Sequence, residues 1–234
     1  MTCPICHGST FISVEKDGET IAVPCQCRKD REKKTLLNTK RIDARIPPKL
    51  WDFTFESYSH LPMIGRENDK ESIETFKKIL DNPFIVKEKD IQVIWIYGKN
   101  DNACHTSLAI ILGTAFLEKD FFVRFITFQE LMNNFTEFNT RVSYFEELEK
   151  YQVYIIDNAF DSSRAGAFGK GDYSQKAAFN WVNTALSNGK ILICTCNVPI
   201  RQISDEFKQS KIVLLRSFIE LNFLGTIITE SKSI

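Results

Sequence analysis

The sequence predicts an α/β protein with a parallel sheet covered on its faces by helices, and three observations carry that expectation. Short apolar runs alternate with longer helical stretches from about Trp51 onward. The first buried run, IQVIWIY, leads into a polar loop of small residues and then an apolar helix, TSLAIILGTAFLEK. A composition that is 43% hydrophobic, with 19 Phe in 234 residues, supplies enough apolar surface for one α/β domain and a small appendage.

The appendage comes first in the chain. Two β-like runs, TFISVE and TIAVPC, flank the turn Lys16-Asp17-Gly18, so a hairpin is expected with a cysteine pair near each end. The pairs are C-P-I-C and, eighteen residues later, C-Q-C. Cys3, Cys6, Cys25 and Cys27 thus offer four thiolates for one tetrahedral Zn²⁺, with His7 beside the first pair as an alternative ligand. Four protein ligands leave no open position, so the zinc is expected to be structural, replacing a core that some 27 residues cannot build. Seven cysteines are odd in number for a disulfide framework and fit a reducing compartment.

A polar helix follows from about Arg28 to Ala44 and is stopped by Pro47-Pro48. Residues 28–49 hold nine Lys/Arg against three Asp/Glu, although the whole chain is formally neutral. Such an arm suits nucleic-acid phosphate, an acidic partner surface or plain solvation.

In the sheet domain, strands are expected at Ile91–Tyr97, Phe121–Thr127, Gln152–Asp157, Lys190–Thr195 and Phe218–Phe223. Helices are expected at about Lys70–Leu80, Thr106–Lys119, Phe128–Phe135, Ser174–Asn188 and Lys208–Arg216. No apolar run approaches the roughly 18 residues that span a bilayer, and MTCPICHG has neither a charged n-region nor an apolar core. The expectation is a soluble, cytoplasmic protein with no membrane partner.

The loop after the first strand has the setting of a phosphate-binding loop. A Walker A sequence needs glycines whose N–H groups curl around phosphate, a Lys for the β/γ-phosphates and a hydroxyl for Mg²⁺. With Thr106 in the hydroxyl place and Ser107 after it, His105 takes the Lys place, Cys104 that of the second Gly, and Gly98 stands one residue early. Lys99 enters the loop at the wrong end. A Cys where the backbone must be left-handed costs about 1–2 kcal/mol, and a free imidazole is mostly neutral at pH 7. The helix N-terminus still favours an anion, so weakened ATP/ADP and Mg²⁺ binding with impaired hydrolysis is expected.

YQVYIIDNAFD has Walker B form, with Asp157 at a strand's C-terminal end where a carboxylate holds Mg²⁺ through water. Asn158 stands where a second acid would polarise the attacking water, and Asp161 lies three residues on. The strand ILICTCNVP ends on Thr195 and Asn197, polar groups suited either to strand-end capping or to sensing a γ-phosphate. Lys208, Lys211 and Arg216 follow, cations able to reach a neighbouring subunit's nucleotide.

The order of these parts, C-x2-C…C-x-C, a basic helix, RIPPKLWDFTFESY, a P-loop-like turn, VYIIDN, LICTCNVP and LLRSFIELNFLG, resembles the DnaC/DnaI-type helicase loaders in their phage and prophage forms, and their relatives the IstB transposition helpers. The resemblance implies an AAA+ P-loop-type core with a parallel five-stranded sheet, an N-terminal zinc module that contacts a hexameric replicative helicase, and delivery of that helicase to single-stranded DNA. It divides the chain into a zinc module (1–30), a basic helix and linker (31–65) and an AAA+ domain (66–234). By position it makes Thr106 the Mg²⁺ hydroxyl, Asp157 the Walker B acid, Asn197 the sensor and Arg216 or Lys211 the trans-acting cation of a homo-oligomer. The alternatives are an active Mg-ATPase with an unusual loop and an IstB-like helper.

Overall fold

The computed structural model describes residues 2–56, 70–98, 105–136, 138–159, 171–197, 200, 217–222 and 228–231. The chain divides into two compact units, Met1–Asp43 and Ala44–Ile234.

In the first unit β1 (Phe11–Lys16) and β2 (Glu19–Pro24) form an antiparallel hairpin, in register from Phe11↔Pro24 to Lys16↔Glu19. The two turn residues, Asp17 and Gly18, have φ of 53° and 81°. Positive φ at both central positions suits the twist of the flanking strands, which is why Asp-Gly works here. The helix α1 (Gln26–Asp43) follows at once, and none of its 18 residues is buried.

Among the described residues the second unit holds a six-stranded sheet in the order β4-β5-β6-β3-β7-β8. Its strands are β3 (Val93–Tyr97), β4 (Val123–Thr127), β5 (Val153–Asp157), β6 (Ile191–Cys196), β7 (Ser217–Asn222) and β8 (Ile228–Ser231). Strands β4, β5, β6 and β3 run parallel, β7 pairs parallel with β3, and β8 turns back antiparallel on β7. The sequence reading has no counterpart of β8, a four-residue strand too short for alternation to announce.

Around the sheet lie α2 (Lys70–Asp81), the short α3 (Ile85–Glu88), α4 (His105–Glu118), α5 (Phe128–Thr136), α6 (Phe138–Glu149) and α7 (Gly171–Ser187). The sequence reading gives no helix where α6 lies, because FNTRVSYFEELE mixes β-branched and aromatic residues of low helix propensity. Packing decides instead: Tyr144 and Leu148, four apart on one face, are both buried. The expected helix at Lys208–Arg216 falls outside the described residues.

One side of the sheet buries Trp95, Tyr154, Ile156 and Cys194 among Leu131, Phe135, Leu148 and Trp181 of the helices. Tyr154 meets Trp181 edge to face at 4.9 Å, and its hydroxyl donates to the Leu148 carbonyl. On the opposite side α4 lies so close to β5 that a Cβ on Gly113 would come within 2.3 Å of Ile155 Cδ1 and 3.2 Å of its Cγ1. Ile155 is fully buried and has nowhere to go. Gly113→Ala is therefore expected to destabilise by about 1–2 kcal/mol, overpacking outweighing alanine's better helix propensity. A thermal melt at or above that of the natural chain would contradict this account of the close approach.

Arg124 on β4 is almost completely buried, with Glu147 of α6 at 3.0 Å and the Tyr151 ring beneath its guanidinium. Arg45 bridges to Glu147 at 3.2 Å and to Glu130 at 3.4 Å. Removing Glu147 leaves the Arg124 charge in a dry site without its counter-ion. Glu147→Ala is expected to cost about 2–3 kcal/mol, below the full buried-pair range because Glu147 is a third exposed. Thermal unfolding of that variant checks it, and an unchanged midpoint would show that Arg124 does not depend on this carboxylate.

Candidate functional site

The C-terminal edge of the parallel strands gathers the polar groups of the sheet. Gly98, just past β3, donates its N–H to the Cys196 carbonyl at 3.2 Å, which ties the start of the loop to the end of β6. The loop itself, with Lys99 and Cys104, lies outside the described residues. It delivers the chain to α4, whose first turn carries His105 and Ser107, both buried, with Thr106 between them.

Thr106 Oγ1 donates to Asp157 Oδ1 at 2.6 Å, so the hydroxyl after the loop and the carboxylate at the end of β5 meet directly. Thr195 Oγ1 donates to the same oxygen at 2.7 Å. Asn158 has a left-handed backbone, φ 52°, which turns its side chain back so that Nδ2 donates to Asp157 Oδ2 at 3.3 Å. Its backbone N–H donates to Thr195 Oγ1 at 3.0 Å, and the N–H of Ala159 to the Thr195 carbonyl at 2.7 Å. Asp157 is thus buried with three donors on its carboxylate, one each from Thr106, Thr195 and Asn158.

Chemically, the edge offers a carboxylate and a hydroxyl close together beside the N-terminus of a 14-residue helix. Hard oxygen donors suit Mg²⁺ and the helix end suits phosphate, so these residues fit a metal–nucleotide ligand. Next to Asp157 in the chain stands the amide of Asn158, which donates to Asp157, and no acid stands beside it among the described residues. Asn197, one residue past β6, has a buried Oδ1 without a hydrogen-bond partner among the described residues. Arg216, Lys211 and Asp161 lie outside the described residues.

Thr195 has a larger place here than the sequence reading gives it. The signal lay in strand order, since β6 neighbours β5 with Ile156 level with Cys194, which sets Thr195 level with Asp157. That adjacency is not readable from strands taken singly.

The second cluster lies in the N-terminal unit. The Sγ atoms of Cys3, Cys6, Cys25 and Cys27 all lie within 4.8 Å of one another, with Cys3 and Cys25 at 3.9 Å and Cys6 and Cys27 at 3.4 Å. A Zn–S bond of about 2.3 Å in a tetrahedron puts sulfurs about 3.8 Å apart, so the cluster fits zinc closely. His7 is exposed, and the four thiols form the cluster without it. The backbone preshapes the knuckle: His7 N–H donates to the Cys3 carbonyl and Ser9 N–H to that of Cys6, each at 2.9 Å.

Burial pushes the Cys6 thiol up, but the hydrogen bond with Cys27 and the N–H groups of Gly8 and Thr10 outweigh it and bring it down to about 6. Cys27 is pushed up to about 12, first by the same bond to Cys6 and then by burial. The proton affinities of the two thiols are thus pushed apart by the bond between them, and the four cysteines would release protons on holding a metal ion.

No helix among the described residues is long and apolar enough to cross a membrane. No family model matches the chain, and no curated protein does. Solved structures do match. The replication initiator DnaA bound to AMPPCP and single-stranded DNA is similar over 75% of this chain and 50% of its own, with 17% identity and a TM-score of 0.51. AMPPCP-bound DnaA from Aquifex aeolicus matches over 75% and 51%, with 17% identity and a TM-score of 0.52. Domain III of the Thermotoga maritima replication initiation protein DnaA matches over 75% and 68%, with 17% identity and a TM-score of 0.51. The chain spans about half the length of the first two. At this identity the likeness is one of fold: a parallel sheet flanked by helices, shared with these DnaA structures.

Proposed function

We propose that the chain is a helicase loader of replication initiation, of the DnaC/DnaI type found in phages and prophages, with a nucleotide site whose hydrolysis is weakened. The observation that carries the reading is the four-thiol cluster on a hairpin, leading through a basic helix to a sheet of AAA+ type. That is the order of parts in the resemblance drawn from the sequence, and it supports a zinc module (1–30), a basic helix and linker (31–65) and an AAA+ domain (66–234). The module's partner is a hexameric replicative helicase, and single-stranded DNA is the substrate on which it is placed.

In this reading Cys3, Cys6, Cys25 and Cys27 hold zinc, which fixes the hairpin. Thr106 and Asp157 serve Mg²⁺, the backbone of the loop from Gly98 through Lys99 and Cys104 to Ser107 serves phosphate, and His105 stands in for the usual lysine. Asn197 faces the γ-phosphate, and Arg216 or Lys211 reaches the site of the next copy in an oligomer. Asn158 orients and cannot accept a proton, so nucleotide acts more as a conformational ligand than as fuel. A second reading, an ATPase that turns over, is favoured by the intact Thr106–Asp157 pair. Mg²⁺-dependent hydrolysis that disappears in Asp157→Ala would select it.

Size-exclusion chromatography of the zinc-loaded chain with its host's replicative helicase tests the loader reading. Co-elution is expected. Failure to bind that hexamer, with and without ATP, would overturn the proposal.

A further inference from the structure

The carboxylate of Asp157 offers about four acceptor sites when ionised. Thr106 and Thr195 occupy both on Oδ1, and the Asn158 amide takes one on Oδ2. These three donors are not equivalent. Thr106 sits in the first turn of α4, in the place where a Walker A hydroxyl would take Mg²⁺. Thr195 is fully buried at the end of β6, its hydroxyl oxygen accepts the Asn158 N–H at 3.0 Å, and its own proton is committed to Asp157.

We infer that Thr195 is a positioning residue for the divalent cation: its hydroxyl holds the Asp157 carboxylate in place when Thr106 turns from Asp157 to the metal. The inference rests on the nucleotide-site reading above and adds a residue to it. While Thr106 points at Asp157 both lone pairs of Oδ1 are used. With a divalent cation bound, Thr106 would turn to it and vacate one of them, leaving that lone pair free to accept a hydrogen bond while Asp157 helps to hold the ion. Thr195 keeps the other, so the carboxylate does not rotate as its first donor leaves. The same commitment of its single proton withholds Thr195 from a γ-phosphate, which leaves that contact to Asn197.

The arrangement resembles the way outer groups orient a metal's ligands elsewhere, where removing such a partner typically costs about 10–100-fold in metal affinity. The test is a titration of the full chain with a fluorescent ATP analogue, in Mn²⁺ and separately in EDTA, for the natural sequence, Thr195→Ser and Thr195→Val. The natural chain is expected to bind more tightly in Mn²⁺. Thr195→Ser keeps that gain, whereas Thr195→Val loses about tenfold or more of it with little change in EDTA. Should the valine protein not fold, Thr195→Cys, a weak donor of nearly the same volume, is expected to lose part of the gain.

An Mn²⁺ gain in the valine or cysteine protein equal to that of the natural chain overturns the inference and leaves the nucleotide site standing. Equal losses in Mn²⁺ and in EDTA also overturn it, since Thr195 would then serve the fold of the whole edge. Absence of binding by the natural chain in either medium overturns both the inference and the nucleotide site.

Discussion

Complete chelation of the zinc-loaded chain is expected to unfold residues 2–43, helix α1 included, while the sheet unit stays folded. The hairpin is exposed along nearly its whole length, and α1 buries no residue, so apolar packing within this unit contributes little. A helix needs its costly first turn made for it, and isolated helices of this length are marginal in water. Here two ligands sit at that turn. The Cys25 carbonyl accepts the N–H groups of Arg28 and Lys29, at 3.0 and 3.4 Å, and Cys27 is the second helical residue. A metal ion that fixes both therefore nucleates α1, and structural zinc supplies about 10–16 kcal/mol of apparent binding free energy. Circular dichroism and hydrogen exchange would read the result: protection lost throughout 2–43 and kept in β3–β6, with Cys6→Ser matching the chelated protein. Unchanged helical signal after verified removal of zinc would mean that the thiols hold no metal of structural consequence.

The second large effect is expected at His105. Lysine there supplies a permanent cation at the first turn of α4, next to the place where phosphate would rest on the helix end. A hydrogen bond to a charged group is worth about 1.5–3 kcal/mol, so His105→Lys should tighten binding of an ATP analogue by about 10–100-fold. Asp157→Ala should act in the opposite direction, removing the Mg²⁺ dependence of binding, because it strips the acceptor from Thr106, Thr195 and Asn158 together. If His105→Lys changes nothing, the missing charge is not what limits the site, and the backbone around Cys104 becomes the object of the next substitution.

Much of this was legible in the residues, for physical reasons that can be named. The strands β3, β4, β5 and β6 announce themselves because they are buried and apolar almost throughout, and the cysteines because their spacing is that of ligands. Helix α6 did not announce itself, since Tyr144 and Leu148 are helical by virtue of what they pack against. The same holds within the site. Thr106 and Asp157 are marked by motif, but the place of Thr195 follows from β6 lying beside β5, a long-range fact. The turning of Asn158 onto Asp157 follows from a left-handed backbone that Asn tolerates better than most residues.

Each margin of the sheet carries a described backbone contact. At one, the N–H of Phe125 on β4 donates to the Ala44 carbonyl at 2.7 Å, and the charged Arg45 follows directly. At the other, β8 pairs antiparallel with β7, and its four described residues make a short edge. Among the described residues, then, the sheet offers a second chain no long strand to extend. A partner that met the described part of the sheet would find helix faces and loop ends there, where contacts can be made and released without breaking a β-ladder.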